Sequence, residues 1–96
     1  TIIETYRNGN SWYRVWSDGW CEQGGIFASA GGYATRTATF LKPFKDTNYI
    51  AFAEHNDSEG DSTSHCINTK TTTTVQFLAL YNKNGKANWV AMGYIA

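Results

Sequence analysis

The sequence predicts an all-β fold, a small antiparallel β-sandwich, from three observations. Aromatic residues make up 16% of the 96 positions, and Pro occurs once. Thr is abundant while Leu and Glu are sparse, a balance that suits pleated, half-buried strands rather than helices. Short segments of alternating polarity follow one another, separated by turn residues.

The first of these segments is Ser11 to Gly25, SWYRVWSDGWCEQGG. Asp18-Gly19 reads as a two-residue hairpin turn, because such turns need positive φ at their central positions. That register sets Ser17 opposite Trp20, Trp16 opposite Cys21, Val15 opposite Glu22 and Arg14 opposite Gln23. One face then carries Trp12, Arg14, Trp16, Cys21 and Gln23, and the other Tyr13, Val15, Trp20 and Glu22. Both faces are aromatic. The hairpin must therefore lie within a core or meet another subunit.

Ile26-Phe27-Ala28 leads into a Gly31-Gly32 break. Thr35 to Leu41 alternates Thr35, Thr37 and Thr39 against Arg36, Ala38 and Phe40, as a strand does. Lys42-Pro43-Phe44-Lys45-Asp46 ends it, since Pro cannot donate to a central ladder. Tyr49 to Ala53 is a short apolar strand. The polar run His55 to Ser64 reads as a loop. Thr63 to Thr69 is a further candidate strand. Thr71 to Tyr81 alternates Val75, Phe77, Ala79 and Tyr81 against Gln76, Leu78 and Leu80. Asn84-Gly85 supplies a second hairpin turn, and Asn88 to Ile95 is the last strand. Phe40, Phe52, Phe77 and Trp89 are expected in the core or an interface. A single hairpin in so thin a core cannot bury Trp12, Trp16 and Trp20 together, so one of them is expected to meet a neighbouring subunit.

Length and charge bound the function. A chain of 96 residues makes one domain, residues 1–96, which buries only about 60–70% of its unfolded surface. Eight basic and eight acidic residues give zero net charge, and no Lys/Arg cluster is present to displace counterions from nucleic acid. No apolar run approaches the roughly 20 residues of a transmembrane helix. The chain opens on Thr1 without a signal-peptide pattern, and is read as a fragment of a longer protein. Cys21 and Cys66 read as two buried free thiols, because so small a secreted domain usually carries more bridges than one.

Two groups of residues resemble the distal C-terminal domains of phage tail-fibre proteins. The first is the hairpin Tyr13 to Gly25 with Asp18-Gly19, Gln23 and Gly25. The second is Thr37-Ala38-Thr39-Phe40, Pro43-Phe44 and Tyr49 to Ala53, followed by the closing Asn88-Trp89-Val90-Ala91-Met92-Gly93-Tyr94. Gly24 stands where such domains often have Trp, and Glu22 where an apolar residue is common. The resemblance implies a C-terminal fragment of a fibre, a homotrimeric knob at its tip, carried on the virion and assembled in the host cytoplasm. Its partner would be a bacterial surface polysaccharide or outer-membrane receptor.

No catalytic constellation is expected. His65 and Cys66 are neighbours in a candidate strand and point to opposite faces, so they cannot pair as base and nucleophile. Asp57, Glu59 and Asp61 alternate in a polar loop without the spacing of a calcium-binding loop, so neither a metal nor another cofactor is expected. Receptor contact is expected from two loops: His55, Asn56, Asp57, Glu59 and Asp61 in one, and Lys83, Asn84, Lys86 and Asn88 in the other, with Tyr49 or Tyr81 nearby. The alternative reading is a monomeric carbohydrate-binding module of a secreted enzyme, whose Trp rings would stack on sugar faces.

Overall fold

The computed structural model describes residues 1–27, 35–55, 66–78 and 87–96. Eight strands form two antiparallel sheets: β1 (Ile2–Asn8), β2 (Ser11–Trp16), β3 (Trp20–Phe27), β4 (Arg36–Thr39), β5 (Ile50–His55), β6 (Cys66–Lys70), β7 (Thr74–Leu78) and β8 (Ala87–Tyr94). The larger sheet has the order β1-β2-β3-β8-β5, the smaller β4-β7-β6. The sandwich expected from the sequence is the fold observed. β1 was not among the expected strands, and every one of its residues is exposed.

The β2–β3 hairpin corrects the expected register. Val15 stands opposite Cys21, Arg14 opposite Glu22, Tyr13 opposite Gln23 and Trp12 opposite Gly24. The loop has three residues rather than two. Gly19 N–H donates to Trp16 O at 2.9 Å, closing a four-residue turn. Gly19 itself has φ 92, the left-handed residue that follows such a turn in a three-residue hairpin loop. Asp18 Oδ1 accepts Trp20 N–H at 3.0 Å, and Ile95 N–H donates to Gly19 O at 2.9 Å, so the last residues of the chain hold the turn in place. A slip of one residue exchanges the faces of everything beyond it. Trp12, Trp16 and Trp20 therefore lie on one face, where the two-residue turn would have separated Trp20 from the other two.

The inner face of the five-stranded sheet is built from small residues. Cys21, Gly25, Ala51, Ala53, Ala87, Ala91 and Gly93 occupy it beside Val15, Tyr13, Gln23 and Trp89. Their smallness leaves room for rings carried on the segment between β4 and β5. Phe40 meets Phe44 edge-on at 4.8 Å and Tyr49 at 5.1 Å, and Phe44 stacks on Tyr49 at 4.6 Å. A Cβ at Gly93 would stand 2.7 Å from Tyr49 Cβ, so the Tyr49 backbone approaches the sheet only because that position is Gly. The smaller sheet adds Ala38, Val75 and Phe77 to the same core. Phe77 is 1% exposed, which at about 25 cal/mol per Å² makes it one of the larger single contributions to burial.

Gln23 is the one buried polar side chain among the described residues. Its Nε2 donates to Lys42 O at 2.7 Å, and its Oε1 accepts Leu41 N–H at 3.0 Å and Lys42 N–H at 3.2 Å. It thus replaces a strand partner for a turn that has none. Backbone N–H groups of Phe40 and Phe44 donate to Thr73 O and Thr72 O, each at 2.9 Å, and tie the same segment to the smaller sheet.

Both cysteines are free, but only Cys21 is buried; Cys66 is exposed at the start of β6, which corrects the expectation of two buried thiols. Burial pushes the Cys21 thiol up to about 11, so it stays protonated and unreactive near neutral pH.

Candidate functional site

The face of the five-stranded sheet turned away from the core mixes large apolar side chains with Arg7, Arg14, Glu22, Glu54 and Asn88. Alternation along the paired strands puts Trp12, Trp16, Trp20, Ile26, Ile50, Phe52, Val90, Met92 and Tyr94 on it. Ile50 is 58% exposed, Phe52 55%, Tyr94 45% and Ile26 43%. The Trp20 ring meets Tyr94 edge-on at 5.1 Å, and the Trp20 indole N–H donates to Glu22 Oε2 at 3.1 Å. Exposed apolar side chains grouped on one face, rimmed by polar ones, are a general feature of interaction surfaces.

The expected core or interface residues divide between the two faces. Phe40 and Phe77 are core, and Trp89 is half-buried on the inner face, its ring 5.9 Å from Phe40. Phe52 is on the outer face. Hydropathy alone did not separate them. The signal that does is the size alternation within each strand: Ile50 and Phe52 alternate with Ala51 and Ala53, and Val90 and Met92 with Ala91 and Gly93. The small set points inward against rings from elsewhere, and the large set points out.

The expected receptor-contact residues lie at one end of the sandwich as far as the structure describes them. His55 pairs with Ala87, and Ala87 with Phe27. Cys66 pairs with Leu78 and Arg36 with Phe77 in the smaller sheet. Phe27 meets Phe77 edge-on at 6.3 Å and lies under the Arg36 guanidinium at 5.7 Å, so these strand ends adjoin. The borders of residues 28–34, 56–65 and 79–86 thus share one end. Asn88 is exposed there, level with Ile26 and Glu54 on the outer face. Asn56, Asp57, Glu59, Asp61, Lys83, Asn84, Lys86 and Tyr81 lie outside the described residues. Tyr49 corrects its expectation. It is 3% exposed, and its hydroxyl donates to Thr71 O at 2.8 Å and Thr74 O at 3.0 Å at the opposite end of the sandwich. Its ring fills the space over Gly93 and so cannot face a receptor.

Beside the β1–β2 hairpin the outer face opens into a cleft of about 600 Å³, with Arg7, Trp12, Arg14, Ile26 and Asn88 among its walls. Among the described residues the one ion pair is Lys42 to Glu4, at 3.0 Å. Glu4 also accepts the Tyr13 hydroxyl, and that hydrogen bond, with the neighbouring ammonium of Lys42, holds its carboxyl below the ordinary range. Among the described residues Arg7 and Arg14 have no such carboxylate. No three His, Cys, Asp or Glu side chains gather as a metal site, and no helix is long and apolar enough to cross a membrane, among the described residues.

Two solved structures share this architecture. One is an N-truncated R2-type pyocin tail fibre, with a TM-score of 0.72 and 23% identity over 97% of this chain. This is a tail-fibre fold. The other is a C-terminal fragment of the R2 pyocin fibre of P. aeruginosa, with a TM-score of 0.73 and 23% identity over 95% of the chain. The chain spans 39% and 26% of those two tail-fibre structures. No family model and no curated protein matches it. The residues quoted for the resemblance have definite places in the tail-fibre fold. Phe40, Phe44 and Tyr49 are the ring cluster of the core, Gln23 clamps the turn above it, and Asp18-Gly19 sets the register of the hairpin.

Proposed function

We propose that the chain is the receptor-binding tip domain of a phage or prophage tail fibre, a homotrimer that attaches non-covalently to the bacterial surface. The observation that carries this reading is the outer face of the five-stranded sheet. Among the described residues this face leaves Ile26, Ile50, Phe52 and Tyr94 exposed and Trp12, Trp16, Trp20, Val90 and Met92 half-buried, while the inner face of β2, β3, β8 and β5 packs on the core. Three copies packing that face around a shared axis would remove it from water, as obligate subunit interfaces do.

The partner is a polysaccharide or an outer-membrane receptor of the host, and the domain performs no chemistry on it. Contact is made at the end where His55 and Asn88 stand, by the segments holding Asp57, Glu59, Asp61, Lys83 and Lys86. Three such ends on one particle make weak single contacts cumulative. The domain is carried on the virion at the fibre tip after assembly in the host cytoplasm.

Size-exclusion chromatography with light scattering tests the assembly. The expected mass is that of three chains, and a stable monomer at micromolar concentration would overturn the reading. Glycan binding by such a monomer would favour a carbohydrate-binding module instead. Binding to whole cells tests the tip: replacing Asp57, Glu59 and Asp61 together is expected to change cell binding and leave the assembly intact.

A further inference from the structure

The two edges of the outer face differ in shape and charge. At the β1–β2 edge the surface is concave, the cleft lined by Arg7, Trp12, Arg14 and Asn88. At the β5 edge Ile50 and Phe52 stand more than half exposed. Arg7 and Arg14 are exposed cations without an ion pair among the described residues. Glu22 faces Arg14 across the ladder, but its carboxylate accepts the Trp20 indole N–H and forms no ion pair with the arginine. Glu54 is an exposed anion on the opposite edge, likewise without an ion pair among the described residues.

The edges also match in height along the strands. Phe52 is level with Val90, Gly24, Trp12 and Arg7 across the sheet. Glu54 lies two residues further toward the end that holds Asn88 and Ile26. Arg7 Nε donates to Gly9 O at 3.3 Å, which draws the guanidinium toward that same end. A contact between unlike edges closes into a ring when it repeats around a three-fold axis.

We propose that the β5 edge of one copy docks in the cleft of the next, with Phe52 against Trp12 and Glu54 paired with Arg7. The inference rests on the trimeric reading above and specifies which surfaces meet. The apolar contact supplies the burial. The guanidinium–carboxylate pair fixes which edge meets which, because either charge covered alone would lose its water without compensation.

Charge reversal tests the contact. Both residues are exposed in the single chain, so their replacement is not expected to unfold it. Glu54→Arg and Arg7→Glu, each alone, are expected to raise the midpoint concentration of trimer dissociation in analytical ultracentrifugation by about ten-fold or more. The double reversal is expected to return it to within about three-fold of the unaltered protein. Single reversals without effect, or a double reversal no better than the singles, overturn the contact. Crosslinking gives a second readout. In a Cys66→Ser background, a short bismaleimide is expected to join chains carrying both Arg7→Cys and Glu54→Cys into covalent trimers. Crosslinked dimers from either single cysteine variant would show like edges meeting and overturn it. A monomeric unaltered chain overturns the assembly itself, whereas a trimer indifferent to these changes overturns this contact alone.

Discussion

The two faces of the five-stranded sheet are made from the same strands and have opposite characters. The inner face carries mostly Ala, Gly, Cys and one clamped Gln beside Val15, Tyr13 and Trp89, and it is buried because Phe40, Phe44, Tyr49 and Phe77 come to it from other segments. The outer face carries Trp, Ile, Phe, Met and Tyr, yet among the described residues Ile26, Ile50, Phe52 and Tyr94 stay exposed on it. In a single folded domain the large apolar residues usually point inward. Here the outer face carries large ones as well, and the proposed association would cover them while the inner face makes the fold.

The separation breaks most readily at Phe77. Phe77→Ala removes a ring that is 1% exposed between the sheets, and is expected to cost about 3–5 kcal/mol in urea unfolding. A loss below about 1 kcal/mol would mean that the inner face is not the stabilising one. Gln23→Leu is the next largest. It keeps the volume but leaves Leu41 N–H, Lys42 N–H and Lys42 O without their partner, an expected loss of about 2–3 kcal/mol by the same measurement.

Phe52→Thr sharpens the contrast from the other side. The ring is 55% exposed, and Thr keeps strand propensity, so the stability of the dissociated chain is expected to change by less than about 1 kcal/mol. The mass of the proposed trimer in light scattering is nevertheless expected to be lost at concentrations where the unaltered protein is expected to hold it. The smallest effect belongs to Glu4, on the exposed strand β1. Its carboxyl is held low by the Tyr13 hydroxyl and by Lys42, so its contribution is complete above the ordinary carboxylate range and is lost as pH falls through the lowered folded value. Lower protection factors for the β1 amides on acidification, taken relative to their intrinsic exchange rates, with the inner-face strands still protected, are the expected result. Equal loosening of both would place Glu4 in the cooperative core.

Much of the fold was legible before the structure. Thr37 and Thr39 alternate with Ala38 and Phe40, and Val75 and Phe77 with Gln76 and Leu78; those periods survive as burial patterns in β4 and β7. β1 was not legible, because IIETYRN buries nothing and so leaves no periodic signal. The Asp18-Gly19 turn was legible in place and misread in length: the same dipeptide serves a two-residue and a three-residue loop, and only the partner strand distinguishes them. Tyr49 was misread because nothing local reveals that a distant Gly93 makes room for its ring.

Alternation and turn chemistry along the chain were enough to determine a small two-sheet β domain, since both are short-range properties of neighbouring residues. Which way each strand faces was decided only in three dimensions. Side chains repeat every two residues, so a single residue in the Trp16–Trp20 loop decides whether Trp20 joins Trp12 and Trp16 on one face. That choice depends on packing between segments far apart in sequence: the ring cluster of Phe40, Phe44 and Tyr49 fits over the small residues of β3 and β8 and leaves the indoles outside.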